Sequence, residues 1–568
     1  MSKDVLHVQL ALAEKYFLEK NFSQVEVILR SILFSTPGNS RANELLAYAL
    51  DAHGDSEAAY EYLTKACSRP DASFQALYTL GSYYLARQQY LEAAGYINRS
   101  LIRQGDFFEG LHDLGLAYAG LKNYREAAKH LQRALRLNPH SFEALNNLGA
   151  ALRNVGEFSE SLESLDKALL LQPKHPSTLL NKGVTFDTMG DFENALLCYD
   201  EALASNPAYL EAICNKANTL QCMHRYSEAN ELYELALKMA PQDADSRYNH
   251  SHLCLLHGNF EHGWDKYESR WDSTDAPPYA FREIPSLLSI DNLRDKKILV
   301  WCEQGLGDTI QFCRYIPLLR DLGAKVTLLV QPALVELLAN LDGVGQLESE
   351  HAKCKNGFDF QIPVMSLPRL FKTDLSNIPL QVPYIHPDPH KTKKWFESLG
   401  PRQRLRVGLV WSGGFRKDAP AIWAVNRRRN IPFSVIAQLQ KVTDVDFFSL
   451  QKGEPAESEF LAESPKIWLE KNLSNPVDQL HDFSDTAALI ENLDLVISVD
   501  TSTAHLAAAM GKPVWMLNRY DSCWRWLLDR NDSPWYPNLR IYSQENPGDW
   551  GGVLSRVADD LTRLVKRA

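Results

Sequence analysis

Long apolar runs, an excess of basic charge and patterned cysteines are all missing from this 568-residue chain. Apolar stretches such as residues 298–302 and 506–510 fall far short of the roughly 20 residues that cross a bilayer, so no membrane span is expected. Residues 1–17 hold no basic start followed by an apolar core, because Glu14 and Lys15 interrupt it, and no signal peptide is expected. The 60 Lys and Arg are outnumbered by 71 Asp and Glu, a net charge of −11, which argues against nucleic acid or an acidic membrane as partner. Nine cysteines form no C-x-x-C pair and no regular spacing. Neither a disulfide framework nor a zinc site follows, and reduced thiols in the cytoplasm are expected. A composition of 45% apolar and 23% charged residues excludes a largely disordered protein. By length alone, about four domain-sized units fit.

What the chain does have is a period. Pro139, Pro173, Pro207 and Pro241 stand 34 residues apart. In the same register run Leu114-Gly115, Leu148-Gly149 and Lys182-Gly183, then Ala134, Ala168, Ala202 and Ala236, then Leu131, Leu165, Tyr199 and Tyr233. Two antiparallel helices per 34 residues, small residues where they touch and Pro closing the second helix make the tetratricopeptide pattern. Eight repeats starting at residue 6 cover about 6–277, and such arrays curl into an α-solenoid lined by the first helix of each repeat. One position on that helix reads Asp113, Asn147, Asn181, Asn215 and Asn249, while the first three repeats carry Ala11, Leu45 and Thr79. Asn is a middling helix former that competes with the backbone, so its recurrence needs a reason. Side-chain bonding between repeats is one. A ladder of amides, each offering donors and an acceptor to an extended acceptor peptide, is the other. The ladder resembles that of eukaryotic O-linked N-acetylglucosamine transferase, which holds protein substrates.

After Trp271 the period stops, and residues 272–285 read as a linker rich in Pro, Asp and Ala. Strands are expected over 298–302, 325–330 and 358–363, with helices over 309–322 and 332–341. Beyond Pro379, Pro383, Pro387 and Pro389, strands are expected over 405–411, 445–450, 493–499 and 513–517. This alternation argues for two doubly wound, Rossmann-like α/β domains facing a cleft, with ligands at the carboxyl ends of the strands. The segmentation is then a repeat array over 6–277, a linker over 278–295, an acceptor-side domain over 296–385 and a donor-side domain over 386–568.

Four loops carry the chemistry. Glu303-Gln304-Gly305-Leu306-Gly307-Asp308-Thr309 is no dinucleotide fingerprint, since Ile310 replaces the third glycine. Asp308 either caps a helix, with Gln311 completing a capping box, or acts as a general base. Ser412-Gly413-Gly414 leads to Asn426-Arg427-Arg428-Arg429-Asn430, where Arg429 is a candidate fork for phosphate. Gln451 and Lys452 end the third loop. The fourth, residues 498–513, sets Asp500, Thr501, Ser502 and Thr503 before a helix containing His505. Hydroxyls and free amides there suit an anion such as a nucleotide-sugar phosphate.

Asp308 after a glycine turn, Asp500-Thr501 with His505-Leu506-Ala507-Ala508-Ala509, and Gly511-x-Pro513 resemble the family 9 heptosyltransferases, which have the GT-B fold. The tail Trp524-Arg525-Trp526-Leu527-Leu528-Asp529 through Ser533-Pro534-Trp535-Tyr536-Pro537 looks like bacterial proteins that join tetratricopeptide repeats to such a domain. The resemblance implies that Asp308 is the base and that Asp500, Thr501 and His505 contact the donor. Ser502 departs from the glycine usual there. The repeats imply a protein acceptor, and flagellin glycosyltransferases of this architecture are the nearest functional likeness. Metal is not expected. Asp243-Ala244-Asp245 and Asp444-Val445-Asp446 lie away from strand carboxyl ends, and the His386/His390 and His250/His252 pairs read as structural.

The sequence thus points to a protein O-glycosyltransferase using a nucleotide sugar without a cofactor. Asp308 is its base, and Gly305, Gly307, Ser412, Gly413, Gly414, Arg429, Gln451, Lys452, Asp500, Thr501, Ser502 and His505 form its donor site. Asp113, Asn147, Asn181, Asn215 and Asn249 hold its acceptor. The alternatives are a non-catalytic repeat scaffold and an enzyme acting on glycan or lipid.

Overall fold

The 34-residue period folds into helix pairs. The structure, a computed structural model, describes residues 3–274, 276, 278–354, 356–414 and 420–567. Among these, sixteen helices run from Lys3–Leu18 to Phe260–Tyr267, and from the second pair onward the first helices begin at residues 40, 74, 108, 142, 176, 210 and 244. Side chains of Asn39, Ser73, Ser141 and Asp243 cap four of those starts by accepting from first-turn N–H groups. The small-residue position is set by packing. A Cβ on Gly115, Gly149 or Gly183 would meet the side chain of Leu131, Leu165 or Tyr199 at 2.7, 2.5 and 2.5 Å.

Two compact units divide the chain, residues 1–189 with 193–209 and residues 190–192 with 210–568. The sequence places a boundary after residue 277, but the last two helix pairs cluster with the α/β half. The last pair shares its core, where Leu255, Phe260, Trp264 and Tyr267 pack with Ile298, Val300, Val326 and Leu328, and Tyr226 of the pair before packs against it.

The second unit holds two wholly parallel sheets. The first has the order β3-β2-β1-β4, from β1 (Lys297–Trp301), β2 (Lys325–Leu329), β3 (Val344–Glu348) and β4 (Phe360–Pro363). The second has the order β10-β9-β8-β5-β6-β7, from β5 (Leu405–Val410), β6 (Val445–Ser449), β7 (Leu473–Ser474), β8 (Leu495–Val499), β9 (Val514–Asn518) and β10 (Leu539–Ser543). Central β5 and β8 are buried at every residue, as a parallel sheet covered on both faces requires. The helix expected over 309–322 instead starts at Leu306 and breaks: Leu306–Phe312 is followed by a 3₁₀ turn, Cys313–Tyr315, and then Ile316–Asp321. Pro317, near the start of the last piece, has no N–H for a continuous ladder. Arg314 joins this side to the tail, donating to the carbonyls of Gln311 (2.8 Å) and Trp535 (2.7 Å) and to the Tyr384 hydroxyl (3.0 Å).

Two outcomes follow for the helical pairs. Gly149→Val forces Leu165 aside and should lower the array's stability by about 1–3 kcal/mol in urea unfolding followed by circular dichroism. Gly95→Ala, where an added Cβ meets nothing within 4 Å, should raise it by up to about 1 kcal/mol. In the last pair, burial, with Lys266 beside His250 and Arg525 near His252, lowers both rings to about 4. Both are neutral when folded, and the unfolded chain takes up their protons first. Stability contributed by the neutral rings is therefore present above about pH 6.5 and lost as pH falls towards 4. All 12 tryptophans lie at residue 264 or beyond, so tryptophan fluorescence melts should fall through that window, and less steeply in His250→Gln.

Candidate functional site

The loops after β1, β5, β8 and β9 converge on a cleft of about 690 Å³. From the first sheet come Glu303, Gln304, Gly305, Leu306, Gly307 and Asp308. From the second come Gly413, Gly414, Val425, Arg429, Asp500, Thr501, Ser502, His505, Arg519, Cys523 and Arg525. The two sides come close at Gly307. A Cβ on Gly307 would lie 3.0 Å from His505 Cδ2 and 3.4 Å from Ser502 Cα, so a side chain there would crowd the approach of the Leu306–Phe312 and Ser502–Ala509 helices.

Asp308 is neither an N-cap nor a free carboxylate. It is the third residue of its helix, and its Oδ2 accepts from the Gly305 N–H (2.8 Å) at the N-cap. Its Oδ1 accepts from Arg525. Gln311, expected to complete the capping box, instead accepts from Arg525 Nε at 3.0 Å. The loop is braced from the last repeat. Arg270 forks onto Glu303 at 3.0 and 2.9 Å, with the side chains 3% and 1% exposed. Gln304 donates to the Tyr267 hydroxyl at 2.9 Å. Burial pushes the Glu303 carboxyl up against the pull of Arg270.

Across the cleft, burial lowers the His505 ring to about 4 despite Asp500, whose Oδ1 lies 3.8 Å from its Nε2, and the imidazole is neutral at pH 7. Its Nδ1 lies 3.0 Å from the Tyr536 hydroxyl, and the ring stacks on Trp526. Burial opposes the charge of Asp500, and His505, Arg429 and Arg525 around it outweigh burial to hold the carboxyl below its ordinary value. Thr501 sits at the N-cap without a side-chain cap bond; its hydroxyl lies 3.0 Å from that of Ser498. Among the described residues, no side chain accepts from the first-turn amides of this helix. Gly413 leaves room for Arg429, since a Cβ there would fall 1.9 Å from the guanidinium. Arg429 donates to the Asp500 carbonyl at 2.7 Å and to Asn426.

Three expected donor residues do not line the cleft. Ser412 is buried. Gln451 accepts from the Trp411 and Ser412 amides at 3.1 and 2.8 Å, fixing the loop after β5. Lys452 donates to the Leu480 carbonyl. Conversely, Arg519, Cys523 and Arg525 line it although the sequence analysis assigned them no role. The signal for Arg519 was its place directly after β9, at a strand's carboxyl end.

Of the acceptor positions in the first unit, Asp113 accepts from the Tyr78 and Ser82 hydroxyls at 2.9 and 3.1 Å. Asn147 Nδ2 lies 3.3 Å from His112 Nε2, and Asn181 donates to Asn146 Oδ1 at 3.1 Å. These bonds run between neighbouring repeats. Asn215 and Asn249, in the second unit, are half-buried.

Residues 479–547 match glycosyltransferase family 9 (heptosyltransferase), and residues 112–177 and 176–209 match tetratricopeptide repeat families. Protein FlbA of Caulobacter vibrioides is 28% identical over 346 residues, 57% of this chain and 56% of that protein. The chain thus spans about half the length of this curated relative. Among solved structures, YrrB, described as a tetratricopeptide protein with an unusual peptide-binding site, is 24% identical over 32% of this chain and 95% of its own, with a TM-score of 0.30. A tetratricopeptide protein from Parabacteroides merdae is 17% identical over 40% of this chain and 91% of its own, with a TM-score of 0.37. The chain therefore joins tetratricopeptide repeats to a C-terminal glycosyltransferase family 9 segment.

Proposed function

We propose that the chain is a protein O-glycosyltransferase of GT-B type, transferring a sugar from a nucleotide donor to a Ser or Thr hydroxyl of a protein held by the repeats. The observation that carries this reading is the meeting of Asp308 with Thr501, Ser502 and Arg429 in one cleft between two parallel sheets. In this reading Asp308 takes the acceptor's proton. The phosphates lie against the uncapped first turn at Thr501 and the Arg429 guanidinium, where positive charge meets the departing oxygen. With Arg429, Arg519 and Arg525 on its walls, the cleft supplies that charge without a divalent cation. Gln451 and Lys452 fall outside this scheme, because their polar atoms are bonded elsewhere.

On the repeats, Asn147 uses one amide bond towards its neighbour and keeps further donor and acceptor capacity. Asn147 and Asn181 in the first unit then serve both inter-repeat bonding and capture of an acceptor backbone, and Asn215 and Asn249 in the second unit serve such capture. The setting is the cytoplasm, and flagellin is the acceptor to test first, on architectural likeness.

Thermal scans by tryptophan fluorescence against nucleoside diphosphates and cytidine monophosphate should show a raised melting temperature with the cognate nucleotide, since binding at 100 times Kd adds about 2.7 kcal/mol. No shift with any of them would sink the donor site. Asp308→Asn should cut transfer by roughly 10²–10⁴-fold while nucleotide binding persists. The quadruple Ala variant of the four asparagines should weaken acceptor binding by about 0.5–1.5 kcal/mol per contact and leave donor hydrolysis unchanged. Unaltered transfer to the whole acceptor would leave the asparagines as inter-repeat bonding alone.

A further inference from the structure

We propose that Arg525 is a second catalytic residue, one that holds Asp308 before the donor binds and passes to the leaving phosphate when it does. This rests on the glycosyltransferase reading above and assigns the cleft a charge exchange that the reading does not contain.

Arg525 belongs to the 3₁₀ turn Trp524–Trp526 and lines the cleft. One guanidinium nitrogen donates to Asp308 Oδ1, Nε donates to Gln311 Oε1 at 3.0 Å, and the third nitrogen lies 3.2 Å from Cys523 Sγ. Its plane lies over the Trp524 ring, 4.2 Å from the centroid. That aromatic face supports the cation without fixing which anion it pairs with. The Asp308 and Arg525 side chains are 19% and 11% exposed, so the pair is largely desolvated, and neither charge tolerates loss of its partner without a replacement. A phosphate is such a replacement, and an arginine fork suits it. Asp308 has a second tether, the Gly305 amide at 2.8 Å, which keeps the carboxylate in place when Arg525 leaves.

The exchange matters chemically because both Asp308 oxygens already accept hydrogen bonds, from Arg525 and from the Gly305 amide, and one must be freed to meet the acceptor hydroxyl. In the transfer step the acceptor oxygen bonds to the anomeric carbon as the bond from that carbon to the phosphate oxygen breaks. The hydroxyl proton passes to Asp308, and the electron pair leaves on the nucleotide phosphate. The charge that Asp308 loses appears on the phosphate. An arginine moving from the first to the second follows that charge, so the Asp308 oxygen that Arg525 holds is freed for the acceptor hydroxyl only when a donor is in the cleft.

The test is titration calorimetry on the full chain with a panel of nucleoside diphosphates and inorganic pyrophosphate. Binding to the wild type must break the pair, so Asp308→Asn should tighten affinity about fivefold to tenfold, the upper end corresponding to about 1.4 kcal/mol. Arg525→Gln should weaken it by about tenfold or more, and Arg525→Lys, which keeps the charge and loses the fork, should fall between. The deciding measurement is Asp308→Asn in the Arg525→Gln background. An exchange predicts that the gain disappears there, whereas simple relief of repulsion between carboxylate and phosphate predicts that it persists. Persistence, or an Arg525→Gln protein that melts normally and binds as the wild type does, overturns the proposal. Failure of every probe to bind the wild type overturns the donor reading itself.

Discussion

The first-sheet wall of the cleft depends on one buried ion pair, Arg270 with Glu303. Glu303 begins the loop that carries Asp308, and a carboxylate at that depth persists only with its partner, whose loss costs about 3–5 kcal/mol. The partner comes from the last turn of the repeats, not from the sheet. The helix before that turn supplies Tyr267 for Gln304 and Trp264, whose ring meets Phe312 at 6.2 Å and Trp524 at 5.3 Å. Phe312 ends the helix of Asp308, and Trp524 adjoins Arg525. The final helix pair is therefore part of the wall around Asp308.

The opposite wall has a smaller tie of the same kind. His224, in the turn of the seventh helix pair, stacks on Tyr520 at 3.9 Å and lies 2.9 Å from its carbonyl through Nε2. Tyr520 directly follows Arg519, and Asp521 after it pairs with Arg519 at 3.4 Å and Arg428 at 3.0 Å. Both walls thus carry a contact from the last two helix pairs. This accounts for the division of the chain near residue 210 rather than at the end of the sequence period. Period marks where a repeating unit stops; compactness marks where burial stops, and at Trp264 and Tyr267 the two do not coincide.

What the sequence made legible follows from how strongly each feature constrains residue type. Repeat starts are legible because a 34-residue recurrence fixes the small and capping positions together. Central strands β1, β5, β6, β8 and β9 are legible because burial on both faces demands continuous apolar runs. Edge strands β3, β7 and β10 were missed for the converse reason: β3 is half-exposed, β7 has two residues, and β10 is broken by exposed Arg540 and Ser543. The asparagine column was visible as a column, but a single sequence could not rank its two uses. Asn146 and His112, which decide part of the answer, lie one residue before the column's own positions in their repeats.

The site shows a subtler limit. Gly305, Gly307 and Gly413 were expected in the donor site, and all three line the cleft. Two of them have a steric reason for being glycine. A Cβ on Gly307 would crowd His505 and Ser502 of the facing helix, and Gly413 vacates the volume that Arg429 fills, while the Gly305 amide is already given to Asp308. A glycine pattern therefore locates a place where backbone or side chain must come close, and the approaching group can belong to the protein itself. The cations show the inverse case. Lys452 stands at a strand end and spends its ammonium on a carbonyl, while Arg525 sits in an irregular tail no periodicity would single out. What makes Arg525 the centre of the cleft's electrostatics is the folding of that tail across the first sheet's helix, held by Arg314 on the Trp535 carbonyl.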